Sequence, residues 1–351
     1  MSTSFRKVWR DLWRNKGRTL MVIMSISVGV MAVGMVVSGN ILVLGQMARS
    51  HVESNPAHAM LWLRGIVDED TIRSLKRIPS VKDIEGHAES GIHWKTSLDG
   101  EWQTGHIITY PDFENQTFDR LTLKEGAWPD AKQIGVEAAH IDSFAAPGIG
   151  GTVYFEINEH PRSYTVNGIM RNPWEWPSPF GNEAAFYVSQ KDFTRIAGFY
   201  GYRSLRITVP NYSQDNVQQA IDDIDDKLKS QGLSVGFSEI FHPKEHYLQE
   251  MINGVGMVLA VMAVASLALS VMLVINTINA LITQQISQIG IMKAVGSTRR
   301  QITTMYLSAI AVYGLLSLVI AVPIGGYAGN ALAKWMLNLL NVPVTPFEIL
   351  P

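Results

Sequence analysis

The sequence predicts a multi-pass α-helical membrane protein with a large α/β (α+β) extracytoplasmic domain inserted between the first and second transmembrane helices. Three observations predict it. Thr19 to Ala48, Met251 to Met292 and Gln301 to Ala333 contain no Asp, Glu, Lys, Arg or His and run 30, 42 and 33 residues, where a helix needs about 20 apolar residues to cross the hydrocarbon layer. The block from Arg49 to Glu250 is polar, with 19 basic and 29 acidic residues. The short segments beside the spans are basic instead. Arg6, Lys7, Arg10, Arg14, Lys16 and Arg18 precede the first against Asp11 alone, and Lys293, Arg299 and Arg300 separate the second from the third. Short flanks rich in Lys and Arg stay in the cytoplasm. The N-terminus and the second loop are therefore expected inside, and the large block and C-terminus outside.

Residues 1–18 are expected to form an interfacial helix. Phe5, Val8, Trp9, Leu12 and Trp13 recur at i, i+3, i+4, i+7 and i+8, with Arg6, Lys7, Arg10 and Arg14 opposite, a pattern suited to lying in the inner headgroup layer. Phe5, Trp9, Arg10, Trp13 and Arg14 are its membrane-interface residues. The first span, 19–48, is too long for the apolar core of a cleaved signal and is expected to remain as an anchor.

The domain over 49–250 holds all nine histidines, and the chain has no cysteine. Its core must therefore hold it without disulfides. Met60 to Leu63 is strand-like, Glu69 to Arg77 a helix capped by Asp68, and Val81 to Trp94 strand-like. Ser204 to Val209 is a strand. Ser213 caps a helix with the apolar line Val217, Ala220, Ile221, Ile224 and Leu228, Gly232 stops it, and Leu233 to Ile240 is a strand. These are two β-α-β-like units around a middle rich in strand and turn signals. The acids Asp222, Asp223, Asp225 and Asp226 are expected on a solvated helix face. Trp174, Trp176 and Phe180, set among prolines, are a candidate outer binding surface, or a loop tucked onto the core.

The second uncharged stretch is too long for one crossing. Residues 251–275 are expected to cross, and 276–300 to continue inside as a helix extension, with a stripe of Ile275, Ile278, Ile282, Ile286 and Ile289, then a short element from Gly290 to Gly296. The third span and its end occupy 301–340, with Pro323 expected to bend it, and 341–351 form an outer tail. Gly29, Gly34, Gly39, Gly256, Ser270, Gly325 and Gly329 are spaced for close helix approach.

The segment Gln288-Ile-Gly-Ile-Met-Lys-Ala-Val-Gly-Ser-Thr-Arg-Arg-Gln-Ile302 resembles the most specific signature of the FtsX/MacB-type ABC transporter permeases. Lys124-Glu-Gly-Ala-Trp-Pro129 and Tyr164-Thr-Val-Asn-Gly-Ile169 are similar to segments of the MacB-like periplasmic core domain. The resemblance covers essentially the whole chain. It implies a non-catalytic permease subunit in a bacterial cytoplasmic (inner or plasma) membrane, with ATP and Mg bound by a separate ABC-type ATPase. It further implies mechanotransmission through a coupling helix, a second permease copy or paralogue, membrane lipids, and a lipoprotein or other extracytoplasmic protein as partners. Carried over residue by residue, the ATPase-coupling positions are Gln288, Gly290, Ile291, Met292, Lys293, Ala294, Gly296, Arg299 and Arg300. Two departures stand out: Gln288 replaces the usual acid, and the family unit has four spans where this chain has three. The alternative is a membrane-anchored sensor or scaffold that regulates a cell-wall enzyme without transport.

The residues exclude other chemistry. No G-x-x-x-x-G-K-[ST] occurs, so no Walker loop binds ATP in this chain. Beyond the membrane flanks there is no basic stripe for nucleic acid. No metal site is expected: His242-Pro-Lys-Glu-His246 matches H-x-x-E-H literally, but Pro243 directly after the first His opposes the helix that a zinc peptidase needs.

Overall fold

The computed structural model describes residues 16–176, 181 and 183–343. Contacts divide the chain into a helical unit, up to Gly45 plus Leu248–Met336, and an α/β unit, Gln46–Tyr247 plus the chain from Leu337 onward.

In the helical unit three helices are long and apolar enough to cross a membrane, by length and composition. They are α1 (Lys16–Glu53), α6 (Gln249–Gln284) and α8 (Arg299–Leu339), with the short α7 (Ile286–Ala294) between the last two. Small residues mark where they meet. A Cβ at Gly29 would stand 2.8 Å from Ser270 Cβ on α6, and one at Gly325 would stand 3.2 Å from the Met31 carbonyl oxygen. At Gly329 it would collide with Ser38 Oγ and stand 2.9 Å from the Met35 carbonyl. Hydroxyls join the same seams: Ser270 donates to the Ser25 carbonyl, and Ser317 to the Ile23 carbonyl at 3.0 Å. Apolar side chains gain nothing by leaving lipid for one another, so close packing and such bonds hold membrane helices together. Pro323 lies inside α8, which is assigned as one helix across it.

The α/β unit is built on ten strands: β1 (Ala59–Val67), β2 (Asp83–Lys95), β3 (Gln103–Thr109), β4 (Thr122–Gly126), β5 (Gln133–Glu137), β6 (Thr152–Ile157), β7 (His160–Arg171), β8 (Ala184–Val188), β9 (Tyr202–Thr208) and β10 (Val235–Ile240). Its helices are α2 (Glu69–Leu75), α3 (His140–Phe144), α4 (Gln190–Ala197) and α5 (Gln214–Lys229). The strand order is β10-β1-β9-β2-β3-β8-β5-β7-β4, with β6 pairing β2 and β7. The two sequence-predicted units interlock. β9 fills the gap between β1 and β2, and β1 fills the gap between β9 and β10, which is a split β-α-β arrangement. The long β2 leaves this part at His87, pairing β9 up to there and β3 from Ala88. The middle segment, β3 to β8, is thus an insertion that continues the same sheet.

Caps fix the two helices of the interlocked units. The Asp68 carboxylate accepts the Thr71 amide at 2.8 Å, and the Ser213 hydroxyl accepts the Asn216 amide at 3.1 Å. All five residues of the α5 apolar line are buried and share one core with Ile72, Leu75, Leu61, Ile84 and Leu205. Each such side chain contributes roughly 1.5–3 kcal/mol on leaving water. Two of the α5 acids are more than a solvated face. Asp225 accepts the Val235 amide at 2.7 Å and Asp223 accepts the Ser80 hydroxyl at 2.5 Å, so they tie α5 to its neighbours. At Gly126 (φ +79°) a Cβ would overlap the Asn167 carbonyl oxygen, which explains the glycine in the Lys124–Pro129 segment.

Candidate functional site

The coupling positions gather on a tight reversal. α6 ends at Gln284, Gln285 breaks it, and α7 begins at Ile286, four residues before the expected start. Gly290 therefore lies inside α7 rather than at a turn, a correction to the expected element. Gly296 does turn the chain, at φ +98°. Thr298 then opens α8 through a reciprocal cap: its amide donates to Gln301 Oε1 at 2.9 Å and its hydroxyl accepts the Gln301 amide at 3.3 Å. The Tyr306 hydroxyl donates to Gln285 Oε1 at 2.8 Å, pinning α8 to the break.

No residue of α7 is buried. Ile291 is 62% exposed and Val295 84% exposed, and Gln288, Lys293, Arg299 and Arg300 stand open beside them. Lys293, Arg299 and Arg300 form no ion pair with the described residues. Of the isoleucine stripe expected to pack here, Ile278 and Ile289 are half-buried and Ile275, Ile282 and Ile286 are exposed. An apolar helix left unburied by the described residues, with cations at its edge that make no ion pair among them, can seat in a groove on another protein.

The membrane-interface residues Phe5, Trp9, Arg10, Trp13 and Arg14 lie outside the described residues, as does Phe180. Of the candidate outer surface, Trp176 is 54% exposed, whereas Trp174 is packed, edge-on to Phe241 at 4.5 Å and stacked on Tyr247 at 5.1 Å. Trp174 therefore belongs to the tucked-loop reading. Its cluster takes in His51 and His246, whose rings meet at 5.7 Å. Burial first, and the neighbouring His51 and Arg171 next, push His246 down to about 3.

Beside it lies a polar core that sequence reasoning missed. Glu137, fully buried, accepts the Tyr187 hydroxyl at 2.6 Å, the Asn172 amide at 2.8 Å and the Asn341 side-chain amide at 2.9 Å. Burial pushes its carboxyl up to about 7. Arg171, also buried, donates to the Asn341 carbonyl and to Ser50 Oγ at 3.3 Å. Burial lowers its guanidinium to about 10. Asn341 thus joins the two charges, so the start of the expected tail is part of the α/β core. No periodicity signals isolated polar residues that topology alone brings together.

The H-x-x-E-H match is not a peptidase site. His242 to His246 is a loop, with His242 and Glu245 exposed and His246 buried, so the two imidazoles share no helix face. Among the described residues no group of three His, Cys, Asp or Glu could hold a metal ion.

The extracellular domain of the ABC-type transporter YknZ from Gram-positive bacteria is similar to the chain at 12% identity and a TM-score of 0.36, over 52% of this chain and 100% of that one. The periplasmic region of MacB from Actinobacillus actinomycetemcomitans is similar at 13% identity and a TM-score of 0.37, over 58% and 94%. Similarity at this level assigns neither ligand nor partner. No curated protein matches the chain by sequence. Residues 260–350, which contain the break, α7 and α8, match the family described as FtsX-like permease C-terminal. The exposed reversal therefore lies in the part of the chain that matches the FtsX-like permease C-terminal family.

Proposed function

We propose that this chain is the permease subunit of an ABC-type transporter, worked by a separate ATPase that grips α7. ATP and its Mg are bound by that partner. One observation carries the reading: in the segment that matches the FtsX-like family, α7 is an apolar helix with no buried residue, flanked by Lys293, Arg299 and Arg300, which make no ion pair among the described residues. The basic flanks support a cytoplasmic reversal and an α/β unit outside a bacterial cytoplasmic membrane. Nucleotide-driven closure of the ATPase moves α7, and α6, continuous with the break, carries the movement outward. The cargo is a lipid, lipoprotein, peptide or drug, exported or extracted. A second permease copy or paralogue completes the bundle, and lipids and an extracytoplasmic protein complete the assembly.

A specific feature also favours regulation of a cell-wall enzyme without transport. The three uncharged stretches offer no Asp, Glu, Lys, Arg or His, whereas polar pathways through membranes show them. A pure lever needs none. Copurification from intact membranes tests the shared claim: an ATPase whose hydrolysis depends on this chain supports it, and a chain purified without one sinks it. Extraction of a labelled lipid or lipoprotein then selects transport.

A further inference from the structure

The β6–β7 hairpin and α4 border a cleft of about 470 Å³ lined by Lys132, His160, Arg162, Tyr164 and Arg195, with Ile157 its one aliphatic wall. Side chains two apart on a strand share a face, so His160, Arg162 and Tyr164 follow one another along β7, with Tyr164 buried at the inner end. Asp192, 1% exposed, organises the other side. It accepts the Lys132 amide at 2.7 Å, the Ser189 hydroxyl at 3.2 Å and the Arg195 guanidinium at 3.4 Å. The Lys132 carbonyl in turn accepts the Thr165 amide at 3.2 Å.

Lys132 (φ 59°), Asn158 (φ 51°) and Glu159 (φ 63°) are left-handed non-glycine residues at or beside this cleft. For Asn158 and Glu159 this is the geometry the two-residue β6–β7 turn itself requires, and Lys132 is held in it by its bonds to Asp192 and Thr165. The charge is equally local. Three permanent cations face a cleft that no acidic side chain lines, in a domain where acids outnumber bases. Asp192 offsets one of them.

We propose that this cleft binds a phosphate group carried on a small polar head, such as a glycerol or sugar phosphate. A phosphomonoester brings a charge of about −1.5 to −2 and three acceptor oxygens at neutral pH, which matches two net cations, whereas a carboxylate brings one charge and two oxygens. Arginine forks suit the phosphate, and the volume beyond it is walled mainly by polar groups, as a polyol requires. The proposal does not depend on how α7 is used.

The test uses the full chain in neutral-lipid nanodiscs, titrated with glycerol 3-phosphate and with vesicles of phosphatidic acid in phosphatidylcholine. Saturable binding of glycerol 3-phosphate is expected, weakened at least ~tenfold by Arg162→Gln, whose side chain is exposed and makes no bond in the core. Arg73→Gln on α2 should leave it unchanged. Binding of the vesicles alone, with the same loss in Arg162→Gln, assigns the head to a lipid and upholds the site. Failure of both probes to bind, wild-type affinity in Arg162→Gln, or equal binding of glutarate overturns it.

Discussion

Gly329 and Gly34 both lie on the helix seams, yet they should respond differently to a methyl group. A Cβ at Gly34 meets only the Gly325 Cα at 4.0 Å, while one at Gly329 meets Ser38 Oγ and the backbone of α1. Gly34→Ala should therefore be neutral, and Gly329→Ala should destabilise by roughly 1–3 kcal/mol through overpacking, read as a lowered unfolding temperature in detergent. Glu137 makes a second prediction at this scale. Its carboxyl is raised to about 7 in the folded chain, so between the ordinary carboxylate range and pH 7 the folded state binds more protons than the unfolded one. Its contribution to stability is present at low pH and is lost as pH rises toward 7, by at most about 3 kcal/mol. His246, held near 3, has the opposite sign: the unfolded chain takes up the proton first, so stability falls as pH drops below the ordinary histidine range. Glu137→Gln should unmask this. Its stability should rise with pH from 4.5 to 6.5 more steeply than the wild type in urea melts at each pH. The helix glycines could be seen in the sequence because spacing on one helix reports its seam. Glu137, Arg171 and Asn341 could not, because 204 positions separate Glu137 from Asn341 and only the fold joins them.

At the scale of elements, α7 carries the proposed docking. Burying an isoleucine is worth roughly 1.5–3 kcal/mol, so Ile291→Asp should weaken ATPase attachment at least ~tenfold without lowering the unfolding temperature, because Ile291 touches no core. Thr298→Ala removes one half of the reciprocal cap and should cost about 1 kcal/mol, seen as faster amide exchange in the first turn of α8. The ends of the interlocked β-α-β units were legible, since Asp68 and Ser213 are caps with a physical signature. The start of α7 was not. Gly290 suggested a turn, but an exposed glycine in a helix costs only about 1 kcal/mol, and the break fell instead at Gln285, whose side chain Tyr306 holds. The insertion between β2 and β9 was legible only as strand-rich, because its parallel pairings, β3 with β8 and β5 with β7, join strands distant in sequence.

At the scale of the molecule, three apolar helices and one α/β domain followed directly from where charge is missing and where it collects. What the charge map could not show is that the chain after α8 returns to the domain core through Asn341 and Val342. The proposed function makes the reversal at α7 the point where another protein's nucleotide cycle takes hold. Its most direct test is ATP hydrolysis by the copurified partner in proteoliposomes, measured with wild-type chain and with Ile291→Asp. The account predicts hydrolysis that rises with the wild-type chain and falls to the partner's basal rate with the variant. Equal stimulation by both, with α7 labelled on the same side of the bilayer as the α/β domain, would contradict it.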